Sequence, residues 1–326
     1  MELAENIGLL IVGFILLIKG ADYFVDGASM IATRLGIPQI VIGLTIVAFG
    51  TSAPEAAISI SAALKGSTGI AIGNVLGSNI MNILLILGIS ALIIPLKVGK
   101  STVRYEIPFV VVISIILVLF GAFTGELGLF AGVVFWTLFI LFFIYLIYTT
   151  KKGINDEYLK TEIKNASDHE KKLEDKKPMA WPILFLVTLL GLAAIIIGSD
   201  ITVNSAKFIA TKIGLTDRVI GLTVVAFGTS LPELMTSTAA ARKGNSDIAI
   251  GNIVGSNIFN ILFVLGTTCL IKAVPYQTEF IVDGVVCIAA SLLLWVGVIK
   301  NKELRKGTGL IMLASYGVYF VYLLMK

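Results

Sequence analysis

The sequence predicts an all-α polytopic membrane protein in which ten transmembrane helices form two inverted five-helix repeats. Three observations carry that expectation. The 326 residues are 57% hydrophobic and only 14% charged, with a mean hydropathy of +0.96, whereas soluble domains carry about a quarter charged residues. The apolar residues fall into ten runs, each long enough for a bilayer core of about 30 Å, which takes about 20 helical residues. Finally, the first half of the chain returns in the second at a constant offset of 178 residues.

The runs lie near 6–33, 39–64, 69–95, 106–123, 127–148, 182–211, 218–241, 247–271, 280–299 and 307–325. Residues Ile107 to Tyr148 contain a single charge, Glu126, and are too long for one span, so they divide at FTGELG, 123–128. The opening MELAEN is acidic and the first run is longer than a signal-peptide core, so the first helix reads as an uncleaved insertion signal. Cys269 and Cys287 lie in apolar runs and read as packing residues.

Basic residues set the orientation. If loops after odd-numbered helices are cytoplasmic, that side holds eighteen Lys and Arg and the opposite side six, with Lys19 inside the first helix. The positive-inside bias then places both termini outside, at the cell membrane. The net charge of +4 reflects this topology and gives no reason to propose nucleic acid as a partner. One stretch breaks the apolar pattern: residues 151–178, with eight lysines, seven acids and the single histidine, His169, read as a solvated cytoplasmic linker. It divides a first repeat, 1–150, from a second, 179–326. Gly20/Gly198, Asp22/Asp200, Gly43/Gly221, Gly73/Gly251 and Gly88/Gly266 are among the pairs matched across it. Five spans is an odd number, so the second copy enters the membrane from the opposite side. Inverted repeats are a common construction of secondary transporters, with the binding site near the midplane.

Two motifs carry the chemistry. The first, VIGLTIVAFGTSAPE at 41–55, recurs as VIGLTVVAFGTSLPE at 219–233. Pro54 has no N–H for the carbonyl of Gly50, nor Pro232 for that of Gly228, so each motif predicts a broken helix. Such a break offers carbonyls from Ala48 to Thr51 and from Ala226 to Thr229, beside Ser52 and Ser230 and the carboxylates of Glu55 and Glu233. A charged side chain at the bilayer centre costs about 2.5–3.5 kcal/mol on insertion scales, and a bound cation removes that penalty. The second motif, GNVLGSNIMN at 73–82, recurs as GNIVGSNIFN at 251–260. Asn74, Ser78 and Asn82 are spaced four apart along one helix face, as are Asn252, Ser256 and Asn260. Gly73 and Gly77, with Gly251 and Gly255, are small-xxx-small pairs that admit another helix closely.

Two carboxylates with carbonyls, hydroxyls and amides suit calcium, which takes six to eight oxygens in a flexible shell. Soft ligands are few, which disfavours copper and zinc. One proline is ordinarily a kink and one Gly-xxx-Gly ordinarily packing. The same glutamate at matching places in two halves is not explained by either. Asn82 and Asn260 also admit a plain helix-to-helix role, Ser59 and Ser237 read as back-bonded helix serines, and Asp22 pairs with Lys19 one turn away or gates a pathway with Asp200.

The GTSxPE and GNxxGSNIxN pairs, in five-span halves around a hydrophilic linker, closely resemble the alpha repeats of the cation/calcium antiporter superfamily, in its sodium/calcium exchanger branch. The resemblance covers nearly the whole chain. It implies that the second, third, seventh and eighth helices enclose a calcium site with adjoining sodium sites, while the first and sixth slide to alternate access. By position it implies Glu55 and Glu233 as shared calcium and sodium ligands. Thr51, Thr229, Ser52, Ser230, Ser78 and Ser256, with the carbonyls of Ala48 and Ala226, complete the sites, and Asn82 and Asn260 form the central wall. Some relatives carry Asp where Asn260 stands, so potassium dependence is not expected here. The calcium-sensor domains of animal exchangers are absent, and no histidine lies in a span to support proton coupling.

The expectation is therefore a transporter rather than an enzyme. It needs no cofactor, sits in the lipid bilayer where a monomer suffices for transport whatever the oligomeric state, and exchanges sodium for calcium with a net charge moved. Proton/calcium antiport is the nearest alternative and a cation channel a more distant one. A membrane hydrolase lacks a nucleophile and a histidine beside the paired acids.

Overall fold

The computed structural model describes residues 2–66, 68–153, 179–212 and 226–325. Helix α1 spans Glu2–Leu35. A pair bent by 51° follows, α2 at Gln39–Thr51 and α3 at Ala53–Leu64. Next come α4 at Thr68–Ile93, α5 at Thr102–Thr124 and α6 at Leu129–Gly153. The second half contains α7 at Trp181–Lys212, the short α8 at Ala226–Thr229 and α9 at Leu231–Arg242. It ends with α10 at Ser246–Ile271, α11 at Thr278–Ile299 and α12 at Lys306–Met325. Among the described residues, eight helices are long and apolar enough to cross a membrane, and the bent pair α2–α3 makes a ninth span. The run expected at 218–241 is described only from Ala226, and the charged linker lies outside the described residues beyond Gly153.

Helices α1 and α7 pack along a seam of glycines seven residues apart. A Cβ on Gly20 would stand 2.8 Å from the carbonyl of Gly191, and one on Gly198 would stand 2.9 Å from the carbonyl of Gly13. As numbers rise in one helix they fall in the other, so the two run antiparallel. Lys212 accordingly lies 3.8 Å from Glu2 at one end, and Arg34 donates to the carbonyl of Met179 at the other. Small residues here let two backbones touch along a smooth face with few interlocking side chains.

The all-α expectation missed four short strands. They are β1 at Leu96–Lys97, β2 at Glu126–Leu127, β3 at Val274–Pro275 and β4 at Glu303–Leu304. β1 pairs antiparallel with β4 and β2 with β3, each time joining a loop of one half to a loop of the other. Two-residue strands leave no periodicity to read. They form because loop backbone at a helix end needs hydrogen-bond partners, while Leu96, Leu127, Val274 and Leu304 are each fully buried beneath them.

Candidate functional site

Helix α2 stops at Thr51, Ser52 is non-helical, and Pro54 stands at the start of α3. The second copy repeats this, with α8 ending at Thr229 and Pro232 opening α9. Proline suits a first turn because its missing N–H has no partner there in any case. Glu55 and Glu233 therefore sit in the first turns of α3 and α9, where helix N-termini favour negative charge.

The breaks are real, but they do not leave every carbonyl open. Ala48 was expected to present a freed oxygen, yet its carbonyl accepts the Ser52 N–H at 3.0 Å. The oxygen facing each proline has no N–H to accept. For Gly228 that oxygen accepts the hydroxyl of Ser199, on α7, at 2.9 Å.

The two halves bind each other's acids. Ser52 donates to Glu233 Oε1 at 2.8 Å, and Ser230 donates to Glu55 Oε1 at 3.4 Å. Ser52 also bonds Ser256, at 2.9 Å, and Ser256 reaches Glu233 Oε1 at 3.5 Å. Thr51 donates to Asn252 Oδ1 at 3.0 Å. The motif from one half thus faces both motifs of the other. Thr51, Ser52, Glu55, Ser78, Asn82, Ser230, Glu233, Ser256 and Asn260 are all buried, while Thr229 is half-buried. Ala226 supplies backbone at the start of α8.

Asn74 and Asn252 brace this arrangement from outside. Asn74 donates to the Glu55 carbonyl at 3.3 Å and to Ser59 Oγ at 3.0 Å. Asn252 repeats both bonds, to the Glu233 carbonyl and, at 2.8 Å, to Ser237 Oγ. Ser59 and Ser237 are thus acceptors in a tertiary brace and not simply back-bonded serines. Gly251 and Gly255 allow the close approach expected of them: Cβ atoms there would meet Gly43 Cα at 3.0 Å and Leu44 Cα at 2.7 Å. The matching approach of Gly73 and Gly77 would fall on Gly221 and Leu222, outside the described residues.

Nine buried side-chain oxygens have no hydrogen-bond partner among the described residues, the hydroxyls of Ser90, Thr102, Thr202 and Thr236 among them, and four stand out: Glu55 Oε2, Glu233 Oε2, Asn82 Oδ1 and Asn260 Oδ1. They form two pairs at the repeat offset. An unsatisfied buried acceptor costs about 1–3 kcal/mol, more when charged, so each needs an explanation. Glu106 Oε2 is also unpartnered, but Glu106 bonds Tyr145 and has Gly284 at its offset position, so it belongs to no matched pair. Carboxylate and amide oxygens are hard donors, the type that calcium takes. Among the described residues no three His, Cys, Asp or Glu converge.

The sequence reading missed three features. The helix widens into π-turns at Asn82–Leu87 and Asn260–Leu265, each beginning at a candidate asparagine, and such bulges are frequent at functional sites. Asn79 and Asn257 are fully buried between the halves; their only signal was a further polar residue in each second motif. Asp22 does not turn to Lys19. Lys243 lies 3.6 Å from its carboxylate and 2.7 Å from that of Asp26.

The chain matches the family model described as sodium/calcium exchanger protein over residues 5–148 and again over 183–325. It is 41% identical to a putative antiporter, CaxA, of Alkalimonas amylolytica, covering 91% of this chain and 90% of the relative. It is 34% identical to the sodium/calcium exchanger MaX1 of Methanosarcina acetivorans, covering 98% of each. Among solved structures, the sodium-calcium exchanger NCX_Mj superposes with a TM-score of 0.82 at 34% identity, over 98% of this chain and 99% of that one. The chain is a multi-pass membrane protein that belongs to the sodium/calcium exchanger branch of the cation/calcium antiporter superfamily.

Proposed function

We propose that this protein exchanges sodium for calcium by alternating access, through one site built from both halves. The observation that carries the reading is the matched set of four donorless oxygens on Glu55, Glu233, Asn82 and Asn260. Membership of a family of cation/calcium exchangers supports it. In this reading the calcium ligands are Glu55 and Glu233, with Asn82 and Asn260 as the central wall. Thr51, Thr229, Ser52, Ser230, Ser78 and Ser256 extend the set toward sodium. The carbonyls of Ala48 and Ala226 complete it, that of Ala48 through the lone pair not used by the Ser52 N–H.

Two carboxylates balance one Ca²⁺. Three Na⁺ in its place leave one net positive charge, so exchange is electrogenic, at about 2.3 kcal/mol per charge per 100 mV. Sodium running inward then drives calcium outward. Coupling needs only that both ions compete for the same carboxylates and that the protein with bare carboxylates seldom reorients.

The scaffold we propose is ten spans in two inverted repeats, 1–150 and 179–326, joined by a cytoplasmic linker at 151–178. The antiparallel run of α1 against α7 supports the inversion. The strand pairs support the alternation of sides, and the basic residues its orientation: β1 and β4 sit in loops that both follow odd-numbered spans, and β2 and β3 in loops that both follow even-numbered ones. Both termini are then outside, and a monomer suffices for transport without a cofactor. The glycine seam joins α1 and α7 closely, so that the pair can slide as one unit against the other helices.

Purified protein in proteoliposomes tests the reading. An outward sodium gradient is expected to drive calcium uptake that responds to membrane potential. Uptake that persists with choline in place of sodium and follows a pH gradient instead would establish proton coupling and overturn the assignment. Unitary calcium currents in a planar bilayer would overturn exchange altogether.

A further inference from the structure

Asn82 and Asn260 have to present oxygen, not N–H, to a cation, and an amide side chain can turn either end inward. What turns these two is another pair of asparagines. Asn257 Nδ2 donates to the backbone carbonyl of Asn79 at 3.2 Å. A backbone carbonyl only accepts, so the amino end of Asn257 is fixed there and its Oδ1 must point the other way. That Oδ1 accepts Asn82 Nδ2 at 3.0 Å, which turns Asn82 Oδ1 to the donorless position. The second arm repeats the logic. Asn79 Nδ2 donates to the backbone carbonyl of Asn257 at 3.2 Å, and Asn79 Oδ1 accepts Asn260 Nδ2 at 3.1 Å, leaving Asn260 Oδ1 without a donor.

We propose that Asn79 and Asn257 are positioning residues for ion binding: two crossed amide relays, each anchored on a backbone carbonyl of the opposite half, that hold the carbonyl oxygens of Asn82 and Asn260 toward the transported ion. The inference rests on the ligand set proposed above and adds to it the origin of its orientation. It gives a reason for the neutral residue at 260, since Asp there has no N–H to give Asn79 Oδ1 and would set two oxygens against each other. It also makes the halves interdependent, because each wall residue is oriented by the repeat it does not belong to. All four asparagines are buried, with exposures of 0–1%. Water therefore does not substitute readily for a lost partner, and networks of this kind are specified as units.

A double-mutant cycle separates positioning from plain packing. The readout is the apparent KM for calcium in sodium-driven uptake by proteoliposomes, with Asn82→Ala, Asn257→Leu and the double variant. Asn82→Ala is expected to raise KM about ten-fold and Asn257→Leu by a similar factor, the scale of one hydrogen bond or ligand contact. The double variant is expected to be no worse than Asn82→Ala alone, because Asn257 acts only through Asn82. Factors that multiply in the double variant, or a normal KM in Asn257→Leu, would overturn the relay while leaving the ligand set standing. A normal KM in Asn82→Ala would overturn the ligand set and the relay with it. If Asn257→Leu does not fold, Asn79→Leu in an Asn260→Ala background poses the same question on the other arm, with the same outcomes deciding it.

Discussion

The segment 41–55 and its copy at 219–233 differ at two of fifteen positions, yet their acids are held differently. Glu233 receives Ser52 at 2.8 Å and Ser256 at 3.5 Å, whereas Glu55 receives Ser230 at 3.4 Å. Ser199 covers the carbonyl of Gly228, and the corresponding residue beneath the first motif is Ala21. Near-identical sequence in unequal geometry means that the asymmetry belongs to the conformation and to the surrounding helices. A transporter with inverted repeats needs that difference, since exchanging the conformations of the two halves converts one facing state into the other.

Removing either acid tests whether both halves hold the ion. Glu55→Ala and Glu233→Ala are each expected to abolish calcium uptake while the protein remains folded by size-exclusion chromatography. Uptake near normal in either variant would show that one half alone supplies the charge.

The seam between α1 and α7 comes next in size. Gly20→Leu adds a side chain whose first carbon would already lie 2.8 Å from the Gly191 carbonyl, so backbones must part. Overpacking of that kind costs about 1–3 kcal/mol. Turnover is expected to fall at least ten-fold while equilibrium calcium binding, measured by isothermal titration calorimetry, changes little. Equal losses of both would mean that the seam shapes the site and does not serve movement.

Much of this was legible in the chain. Apolar length marked the spans, the offset of 178 marked the halves, and Pro54 and Pro232 marked the breaks, because proline acts on its own backbone wherever it sits. Glu55 and Glu233 stood out for a similar reason, since a charge in an apolar run is costly without tertiary help. What stayed hidden depends on contacts between distant residues. Nothing in GSNIMN says that Asn79 will bond the backbone of Asn257, 178 residues away, and π-turns have no residue signature. Proline removes the N–H only from the carbonyl it faces, so Ala48 keeps the Ser52 N–H as its partner.

The unequal serines offer a finer test. A hydrogen bond to a charged group contributes about 1.5–3 kcal/mol, and more when short. Ser52→Ala is therefore expected to weaken calcium binding about ten-fold or more, and Ser230→Ala by a smaller factor, in the same calorimetric assay. Equal losses would mean that the 2.8 and 3.4 Å bonds interchange in solution faster than the ion is held.

The smallest effect lies at the helix ends. Lys243 is ion-paired with Asp26 at 2.7 Å and reaches Asp22 at 3.6 Å; it also donates to the Asp22 carbonyl at 2.6 Å. At the repeat offset stand Lys65 against Asp200 and Asn204, and both Lys65 and Asp200 are exposed. The second half has therefore tied its loop to α1, while the corresponding lysine of the first half lies open to its surroundings. Partly exposed pairs contribute about 0–1 kcal/mol. Lys243→Met is accordingly expected to lower the melting temperature in detergent by about a degree or two, and Lys65→Met to leave it unchanged. Salt at about 1 M, where the Debye length is near 3 Å, should narrow that gap by weakening the pair in the unmodified protein. A lysine at 65 that proves as important as the one at 243 would mean that both ends are tied in solution, and that the two halves are more alike than their acids suggest.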